Sequence, residues 1–561
     1  MTTVTGFLYS QIGYELGWPM RAVVRGPDAS LLSPAATFQI LEAGSGTPIL
    51  DGAVSGWGEK WGSRWWIADF SALAGEGEFL LVICDGGREK FRSEPFATGR
   101  GLLWQRTWKM VALEQNERRA RLAMNKVGWQ DCGAAWQEAN SHTALVDGFC
   151  DLLEFAADRV TGEDLKRLED QIINGCNYLC LLQDRAAELG KGPGALSHQK
   201  PVFEEFTLLG DASKAAVAWA RASRFLSDTH AVKKREYLDR AVRAFAWLKT
   251  AHPVPNAFSR INHGAPKDFT VPDEWMTRDL LMMCRAAVEL TFCGREAYRA
   301  EAVAFAAQVM RRQVPRDRAE DGLFGHFYTF EHADFTEKAW VHHLERNELG
   351  GDAGGHYPHY LIPLLQMREA WPDHPEAAAW TLTIRDFAYG YFLPACRANP
   401  FYLLPLGFFK GIGLLWFSGL WHGMNAAYLL AAVLAQEFER IFGDPAFRAI
   451  TAGNLQWIAG VNAGLTAEGV TGASHMFSAD VPEGVAQPVS MIHGIGRHTA
   501  GSYMNVRGSI CNGFSTGEQF RFDVEPSLES DGPHTFTDED WITHSGAWLS
   551  AISRLPRPAV F

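Results

Sequence analysis

Residues 424–442 read MNAAYLLAAVLAQEFERIF, and their apolar side chains recur at the i, i+3 and i+4 spacing of an amphipathic helix. The same spacing continues through most of the chain from Leu102 onward, and Gly or Pro commonly separates one periodic segment from the next. The other clearly periodic segments are 145–157, 164–183, 212–227, 234–250, 278–292, 296–312, 376–391 and 447–459. About a dozen such helices in roughly 450 residues predict a toroidal (α/α)6 barrel.

The residues before this helical region show a different pattern. Residues 21–25, 37–41 and 77–84 are short runs of strand-forming residues, and Gly, Pro and Asp separate such runs, which is typical of an immunoglobulin-like β-sandwich. A chain of 561 residues also exceeds what one ordinary hydrophobic core supports. We therefore predict a multi-domain chain, with an immunoglobulin-like β-sandwich in residues 1–100 and an all-α (α/α)6 barrel in residues 101–561.

The charge and the apolar stretches argue against two classes of partner. The formal net charge is -13, and no cluster of basic residues is present that would bind nucleic-acid phosphates. The longest apolar stretch, residues 401–420, is interrupted by Lys410 and several glycines and so fails as a membrane span. Residues 1–7 lack the basic and apolar segments of a secretory signal. We therefore predict a cytoplasmic protein with no nucleic-acid or membrane partner.

The cysteines give no sign of a metal site. They number nine, are scattered along the chain, and form neither a C-x-x-C pair nor a zinc-like spacing with His. Cys176 and Cys180 lie four residues apart on a predicted helix, which is more typical of one buried face. The sequence therefore predicts reduced thiols, no metal ligands and no cofactor.

Six short segments occur in an informative order along the chain. The first, Gln11-Ile12-Gly13-Tyr14, begins the predicted sandwich. The others are Ala68-Asp69-Phe70-Ser71, Glu94-Pro95-Phe96, Trp104-Gln105-Arg106, Asp273-Glu274-Trp275 and Gln456-Trp457-Ile458-Ala459-Gly460-Val461-Asn462. In this order they resemble the signatures of glycoside hydrolase family 9 enzymes that carry an N-terminal immunoglobulin-like domain. The resemblance spans nearly the whole chain and implies an enzyme that cleaves glycosidic bonds.

The resemblance also implies a proton donor. Glycoside hydrolysis needs a carboxylic acid that protonates the departing oxygen. In the family this acid is the Glu of a C-terminal N-E-V-A-I-D-Y-N-A motif, and Asp538-Glu539-Asp540-Trp541-Ile542-Thr543-His544-Ser545-Gly546 occupies the same place here. Glu539 is therefore the predicted general acid. The alternative is a carboxylate at the start of the last helix, expected over residues 547–553, where the helix dipole favours negative charge.

The predicted base is less complete, because the family's D-A-G-D motif is altered. Asp131 matches the first Asp, but Ala134 replaces the second, which is the family's base, and a methyl group cannot accept a proton. Asp131 could have taken the base role, Glu138 could have moved in, or the protein no longer hydrolyses by inversion. A cap of the following helix is the structural alternative for Asp131. An inverting pair requires carboxyl groups about 6.5–9.5 Å apart.

Further residues are candidates for substrate binding. Trp129 and Trp136 flank Asp131, and flat aromatic rings can stack on the apolar faces of sugars. The family's H-H-R segment is altered here but keeps Arg497, with His493 close by. Arg497 could equally be a structural salt-bridge partner.

A polar, Gly-rich loop could also line a cleft. Residues 345–357 contain Asp352 and His356 between predicted helices, and loops on a rigid scaffold often carry binding residues. A plain turn is the simpler interpretation of this segment.

The sequence leaves three functions open. The first is a hydrolase of a β-linked glucan-like or amino-sugar oligosaccharide, with carbohydrate as the only predicted partner. The second is a carbohydrate-binding or regulatory protein that has lost the base. The third is a lyase or another sugar-cleaving chemistry on the same barrel, since a fold alone does not give function.

Overall fold

The structure of the protein is a computed structural model that describes most of the chain. The described residues are 4–132, 137–202, 204–251, 275, 277–328, 331, 361–405, 407–409, 413–417, 425–466, 483–498, 506–515 and 535–556.

The N-terminal part is a β-sandwich built from nine strands. Along residues 37–42, Phe38 and Ile40 are buried while Thr37 and Gln39 face solvent, which is the alternation of a strand with one covered face. The strands are β1 (Thr5–Leu8), β2 (Tyr14–Glu15), β3 (Arg21–Gly26), β4 (Thr37–Glu42), β5 (Pro48–Lys60), β6 (Ser63–Asp69), β7 (Gly77–Asp85), β8 (Arg88–Arg92) and β9 (Phe96–Gly99).

The long strand β5 joins the two layers of the sandwich. Its residues 48–53 pair with β4, and its residues 54–60 pair with β6. The register shifts between Gly56 and Gly58, and Gly58 has a φ of 129°, a conformation that L side chains rarely adopt. The sheet therefore curls at β5 instead of ending there.

Helices begin at Leu102 and make up most of the described residues that follow. A π-helical turn, Met110–Glu114, joins the first two, and another, Phe387–Phe392, joins the helices Ala377–Asp386 and Leu393–Arg397. The helices are α1 (Leu102–Lys109), α2 (Gln115–Leu122), α3 (Ala139–Phe155), α4 (Gly162–Glu188), α5 (Leu209–Phe225), α6 (Ala231–Thr250), α7 (Thr277–Phe292), α8 (Tyr298–Met310), α9 (Ile362–Ala370), α10 (Ala377–Asp386), α11 (Leu393–Arg397), α12 (Asn425–Phe442), α13 (Ala446–Ala459) and α14 (Ile542–Ser553).

These helices form the two rings of an (α/α)6 barrel. The inner ring contains α3, α5, α7, α9, α12 and α14; α14 packs on α3 and α12, α3 on α5, α5 on α7, and α7 on α9. Outer helices pack on their inner neighbours, as α4 does on α3, α6 on α5, α8 on α7, α10 on α9 and α13 on α12. The predicted fold class, a sandwich followed by a helical barrel, is confirmed.

Three short pairs of strands lie in the described loops of the barrel. They are β10 (Gln137–Glu138) with β11 (Gln199–Lys200), β12 (Gly407–Phe409) with β13 (Gly413–Leu415), and β15 (Cys511–Ser515) with β16 (Thr535–Asp540). A further strand, β14 (Val485–Ala486), runs parallel to β1 and extends the sandwich. The barrel therefore contributes a strand to the neighbouring domain.

The sandwich and the barrel meet through polar contacts of the motifs described above. Gln11 donates its backbone N–H to the carbonyl of Ala459 at the end of α13, and Gln456 donates to the carbonyl of Gly13. The carboxylate of Glu15 accepts the N–H groups of Gly101 and Leu103, which lie at the start of α1 where backbone donors have no acceptor within the helix. These contacts fix the sandwich against the first and thirteenth helices.

The last helix starts earlier than the sequence predicted. It begins at Ile542 instead of residue 547, and its first residues are fully buried. No described helix is both long and apolar enough to cross a membrane. The Asp273-Glu274 part of the family motif lies outside the described residues.

The C-terminal parts of the inner helices surround a charged cavity. It has a volume of about 1010 Å³, and its lining includes Arg221, Arg285 and Arg554 with Asp151 and Glu437. Positive side chains near helix C-termini complement the helix dipoles. The carboxylates that join them make this end a network of buried ion pairs.

Arg221 is the centre of this network. Its side chain is 1% exposed and contacts Asp147, Asp151 at 2.7 Å and Glu154 at 2.5 Å. Because removing one partner of a buried ion pair leaves the other charge without compensation, we expect Arg221→Met to lower the free energy of unfolding by about 3–5 kcal/mol. Chemical denaturation measures this loss. The control is Arg440→Met, since Arg440 is 51% exposed in its pair with Glu437 and should cost about 0–1 kcal/mol.

Candidate active site

Glu539 lies on a strand and not at the start of a helix. It is the penultimate residue of β16 and is partly exposed, while its neighbour Asp540 is buried. Between the pairs Cys511–Asp540 and Gly513–Thr537, β15 advances two residues and β16 advances three, so the extra residue of a bulge lies in β16. Such bulges redirect side chains and are common next to active sites.

The environment of Glu539 favours a carboxyl that holds a proton near neutral pH. Burial raises the pKa of Glu539 to about 7, against hydrogen bonds from Cys132 and Asn512 that lower it. The negative charges of Asp131 and Asp540 raise it further. Asn512 on β15 donates from Nδ2 to Oε2 of Glu539 at 2.8 Å. Glu539 therefore has the proton affinity that a general acid needs.

Asp131 lies in the loop that precedes α3, and its carboxyl group is held by donors from that helix start. Oδ2 accepts the hydroxyl of Ser141 at 2.7 Å and the backbone N–H of Glu138 at 3.0 Å. The side chain is 0% exposed. Burial raises the pKa of Asp131 to about 6, although these donors, Arg119 and a hydrogen bond from Trp541 lower it. The contact with Ser141 means that Asp131 is not held by backbone alone.

Glu138 is the third carboxyl group of the cluster and is partly exposed. Its pKa is raised to about 8, first by burial and then by the negative charge of Asp131. The charge of Glu539 also raises it, whereas His198 lowers it. In other active sites, carboxyl groups whose pKa values differ take separate acid and base roles. Asp131 is the member that ionises at the lowest pH.

Arg119 connects the two segments that carry the cluster, and sequence patterns gave no indication of this role. From a fully buried position on α2 it donates to the carbonyls of Gln130 at 3.0 Å and Asp131 at 2.5 Å. Its guanidinium also pairs with Asp540 at 3.1 Å. Because Asp540 follows Glu539 directly, this arginine fixes the loop of Asp131 relative to the strand of Glu539.

A second polar group, also absent from the sequence predictions, flanks Glu138. His198 Nδ1 lies 2.8 Å from Asp211 Oδ2. Burial opposes a charge on this imidazole, but Asp211 raises the pKa of His198 overall. The neighbouring Lys214 is buried, which lowers its pKa to about 7. His198, Asp211 and Lys214 together place hydrogen-bond donors and acceptors near Glu138.

Trp129 packs as a core residue in this structure. Its indole is 0% exposed, donates to Gln171 at 2.7 Å and stacks on His142. A side chain without accessible surface has no face to offer a sugar ring, so the predicted contact with substrate is corrected. Trp129 instead supports the loop, because its backbone N–H donates to His142 Nε2 at 3.0 Å.

Arg497 contacts the sandwich, and His493 lies beside a second histidine. The guanidinium of Arg497 pairs with Glu94 of the sandwich at 3.3 Å, which is the salt-bridge role left open above. His493 is buried, and its ring centroid lies 5.7 Å from that of His498. Their roles in substrate binding remain predictions.

Several predicted residues fall outside the described part of the chain. These are Ala134, Trp136, Asp352 and His356. Within the described part, no group of three or more His, Cys, Asp or Glu side chains is arranged to hold a metal ion. The cysteines are free thiols, and Cys176 and Cys180 are both buried on α4.

Comparisons with known proteins agree with this architecture. Residues 8–88 match the family model described as the cellulase N-terminal ig-like domain. A search of curated protein sequences finds no significant match.

Solved structures match the chain over almost its whole length. A metagenome-derived glycoside hydrolase family 9 endoglucanase is 16% identical, with 98% of each chain covered and a TM-score of 0.62. A family 9 protein of Bacteroides ovatus is 15% identical, with 98% of each chain covered and a TM-score of 0.61. A single-mutant thermostable endoglucanase from Alicyclobacillus acidocaldarius is 13% identical, with 98% of this chain and 99% of that chain covered and a TM-score of 0.54. The resemblance to family 9 is therefore confirmed at the level of the fold.

Proposed function

We propose that this protein is a glycoside hydrolase that cleaves with inversion, using Glu539 as general acid and Asp131 as base or water-positioning residue. The observation that carries the proposal is the carboxyl cluster, in which the pKa of Asp131 is about 6 and that of Glu539 about 7. Between these values Asp131 is ionised while Glu539 keeps its proton. Inverting hydrolysis requires this combination of states.

The reaction follows from these two states. Glu539 donates its proton to the glycosidic oxygen as the bond from that oxygen to the anomeric carbon breaks. Water attacks the anomeric carbon from the opposite face, and Asp131 accepts the proton that the water loses. Ser141 and the N–H of Glu138 hold Oδ2 of Asp131 in place. Arg119 keeps the two reacting segments together.

The proposed substrate is an oligosaccharide of β-linked glucose or amino-sugar units. The structurally similar proteins named above include endoglucanases, which favours a β-glucan chain. Carbohydrate is the only partner proposed, and the cytoplasmic location remains a prediction. A panel of defined oligosaccharides and aryl glycosides, with product analysis, tests the substrate class.

Two observations favour the alternative of a carbohydrate-binding protein without turnover. Asp131 is fully buried, and Ala134 replaces the carboxylate that the family uses as its base. Calorimetric titration with the same oligosaccharides separates the two functions, because a binding protein releases heat of binding but leaves every oligosaccharide intact.

The pH dependence of kcat/KM follows from the two pKa values. The base acts when ionised, so activity falls as the pH drops through the pKa of Asp131, about 6. The acid acts when protonated, so activity falls as the pH rises through the pKa of Glu539, about 7. We expect a bell-shaped profile with its maximum between these values, measured on an oligosaccharide that the enzyme cleaves. A profile that stays flat across both limbs contradicts the assignment.

A further inference from the structure

A chain of hydrogen bonds connects the start of α12 to the carboxyl group of Glu539. The backbone N–H of Ala426 donates to His544 Nδ1 at 3.0 Å. His544 Nε2 lies 2.7 Å from Asn512 Oδ1, and Asn512 Nδ2 donates to Glu539 Oε2 at 2.8 Å. His544 and Asn512 are both buried. The chain therefore runs through two side chains that are shielded from water.

The direction of every hydrogen bond in this chain is fixed by its first donor. A backbone N–H can only donate, so Nδ1 of His544 must accept and carries no proton. The proton of the neutral imidazole then lies on Nε2, which donates to the Asn512 carbonyl oxygen. This bond in turn determines which way the Asn512 amide faces. Its NH₂ group, and not its oxygen, is presented to Glu539.

We propose that His544 and Asn512 are positioning residues that orient the carboxyl group of Glu539 and direct its transferable proton to Oε1. The inference rests on the proposed role of Glu539 as general acid. With Oε2 occupied as an acceptor, a proton on that oxygen would face the Asn512 NH₂ group. Asn512 therefore directs the transferable proton away from Oε2 and onto the other carboxyl oxygen.

Other groups also face Glu539 and contribute to its titration. Asp131 and Asp540 act through their negative charge, and Cys132 through a hydrogen bond. Glu138 interacts with it electrostatically. Asn512 is uncharged and donates to Glu539 at 2.8 Å. Replacing it therefore removes that hydrogen bond and leaves these charged groups in place.

The test replaces the amide by an apolar side chain of similar size, Asn512→Leu. Loss of a hydrogen bond to a charged group should raise the pKa of Glu539 by about one unit, because Asn512 stabilises the ionised form. The alkaline limb of the kcat/KM profile should move up by the same amount. We expect kcat to fall about tenfold or more with KM little changed, since orientation of the acid matters only in the chemical step.

Variants of His544 provide an independent test. His544→Phe removes both ring nitrogens and frees the Asn512 amide to turn, so it should shift the alkaline limb in the same direction. His544→Gln keeps an acceptor for the Ala426 N–H and a donor for Asn512, so it should restore the original limb. Equal profiles for the Phe and Gln variants would overturn the proposed orientation.

The control is another buried asparagine, Asn454, whose amide donates to the carbonyls of Tyr402 and Ile450 on the outer side of the barrel. Asn454→Leu should lower thermal stability without moving the pH limb. If it moves the limb as much as Asn512→Leu does, the shift reflects general destabilisation and the inference fails.

A measurement without substrate separates this inference from the proposed function. The infrared difference between wild-type protein and Glu539→Gln isolates the carboxyl band of Glu539, and its pH titration gives the midpoint directly. The same difference is taken between Asn512→Leu and the double variant. An unchanged midpoint overturns the positioning role even if the protein cleaves sugars. A raised midpoint in a protein that shows no turnover supports the positioning role while the hydrolase proposal fails.

Discussion

Glu539→Gln is expected to lower kcat on oligosaccharides by about 10²- to 10⁴-fold or more, because general acid catalysis alone contributes about that much. Glutamine keeps the shape of the side chain and can still accept the hydrogen bond from Asn512, but it has no proton to give to a sugar leaving group. The fold should therefore remain intact. Steady-state kinetics, together with thermal melting of both proteins, measure this effect.

The leaving group provides a control within the same variant. The leaving group of an activated aryl glycoside departs without being protonated. Glu539→Gln should therefore impair cleavage of such a glycoside much less than cleavage of an oligosaccharide. Glu117→Gln is the matched control elsewhere, because Glu117 lies on α2 in a half-buried ion pair with Arg167. Near-normal oligosaccharide turnover by Glu539→Gln removes this residue from the mechanism.

Asp131→Asn is expected to have an equally large effect on turnover. Asparagine can accept the hydrogen bonds from Ser141 and Glu138 through its amide oxygen, but it cannot take a proton from water. We therefore expect kcat to fall by about 10²- to 10⁴-fold, with little change in KM. The acidic limb of the pH profile should disappear in the residual activity, since its origin is the ionisation of Asp131.

Glu138→Gln discriminates between the two candidate bases. The pKa of Glu138 is about 8, so this group is protonated at the proposed optimum. Glutamine should then be tolerated, with a loss of activity far smaller than that of Asp131→Asn. If Glu138→Gln abolishes turnover and Asp131→Asn does not, Glu138 is the base. Ala134→Asp tests the altered motif, because it restores the family's second carboxylate.

The helices of the barrel were predictable because burial of one face imposes a period of 3.6 residues on the sequence. The segments predicted at 164–183 and 234–250 correspond to α4 and α6, which differ from them only near the ends. The start of α14 was missed by five residues. Thr543, His544 and Ser545 are polar, yet all three are buried, so the apolar period begins later than the helix does.

The site was predictable only where a local motif carried it. Asp131 and Glu539 follow from the resemblance, but the strand position of Glu539 depends on pairing between β15 and β16, which residues 516–534 separate. Arg119 stands in the charged run Glu117-Arg118-Arg119, which looks like a solvated helix face. Its complete burial appears only when residues near 131 and 540 approach it.

Trp129 was predicted to contact substrate but packs in the core. An indole beside a catalytic motif is a reasonable candidate for sugar stacking, and nothing local distinguishes it from a core residue. In the structure Gly175 on α4 makes room for the ring, since a Cβ at that position would lie 2.2 Å from the indole. A distant glycine therefore decides that Trp129 packs inward.

The most direct test of the central claim is proton NMR of a β-linked glucan oligosaccharide during incubation with the wild-type protein. Inverting hydrolysis predicts that the new reducing ends appear first as the α-anomer and only later equilibrate. Glu539→Gln should suppress that signal. An oligosaccharide that binds but stays intact contradicts the claim in favour of a binding protein, and an unsaturated sugar product contradicts it in favour of a lyase.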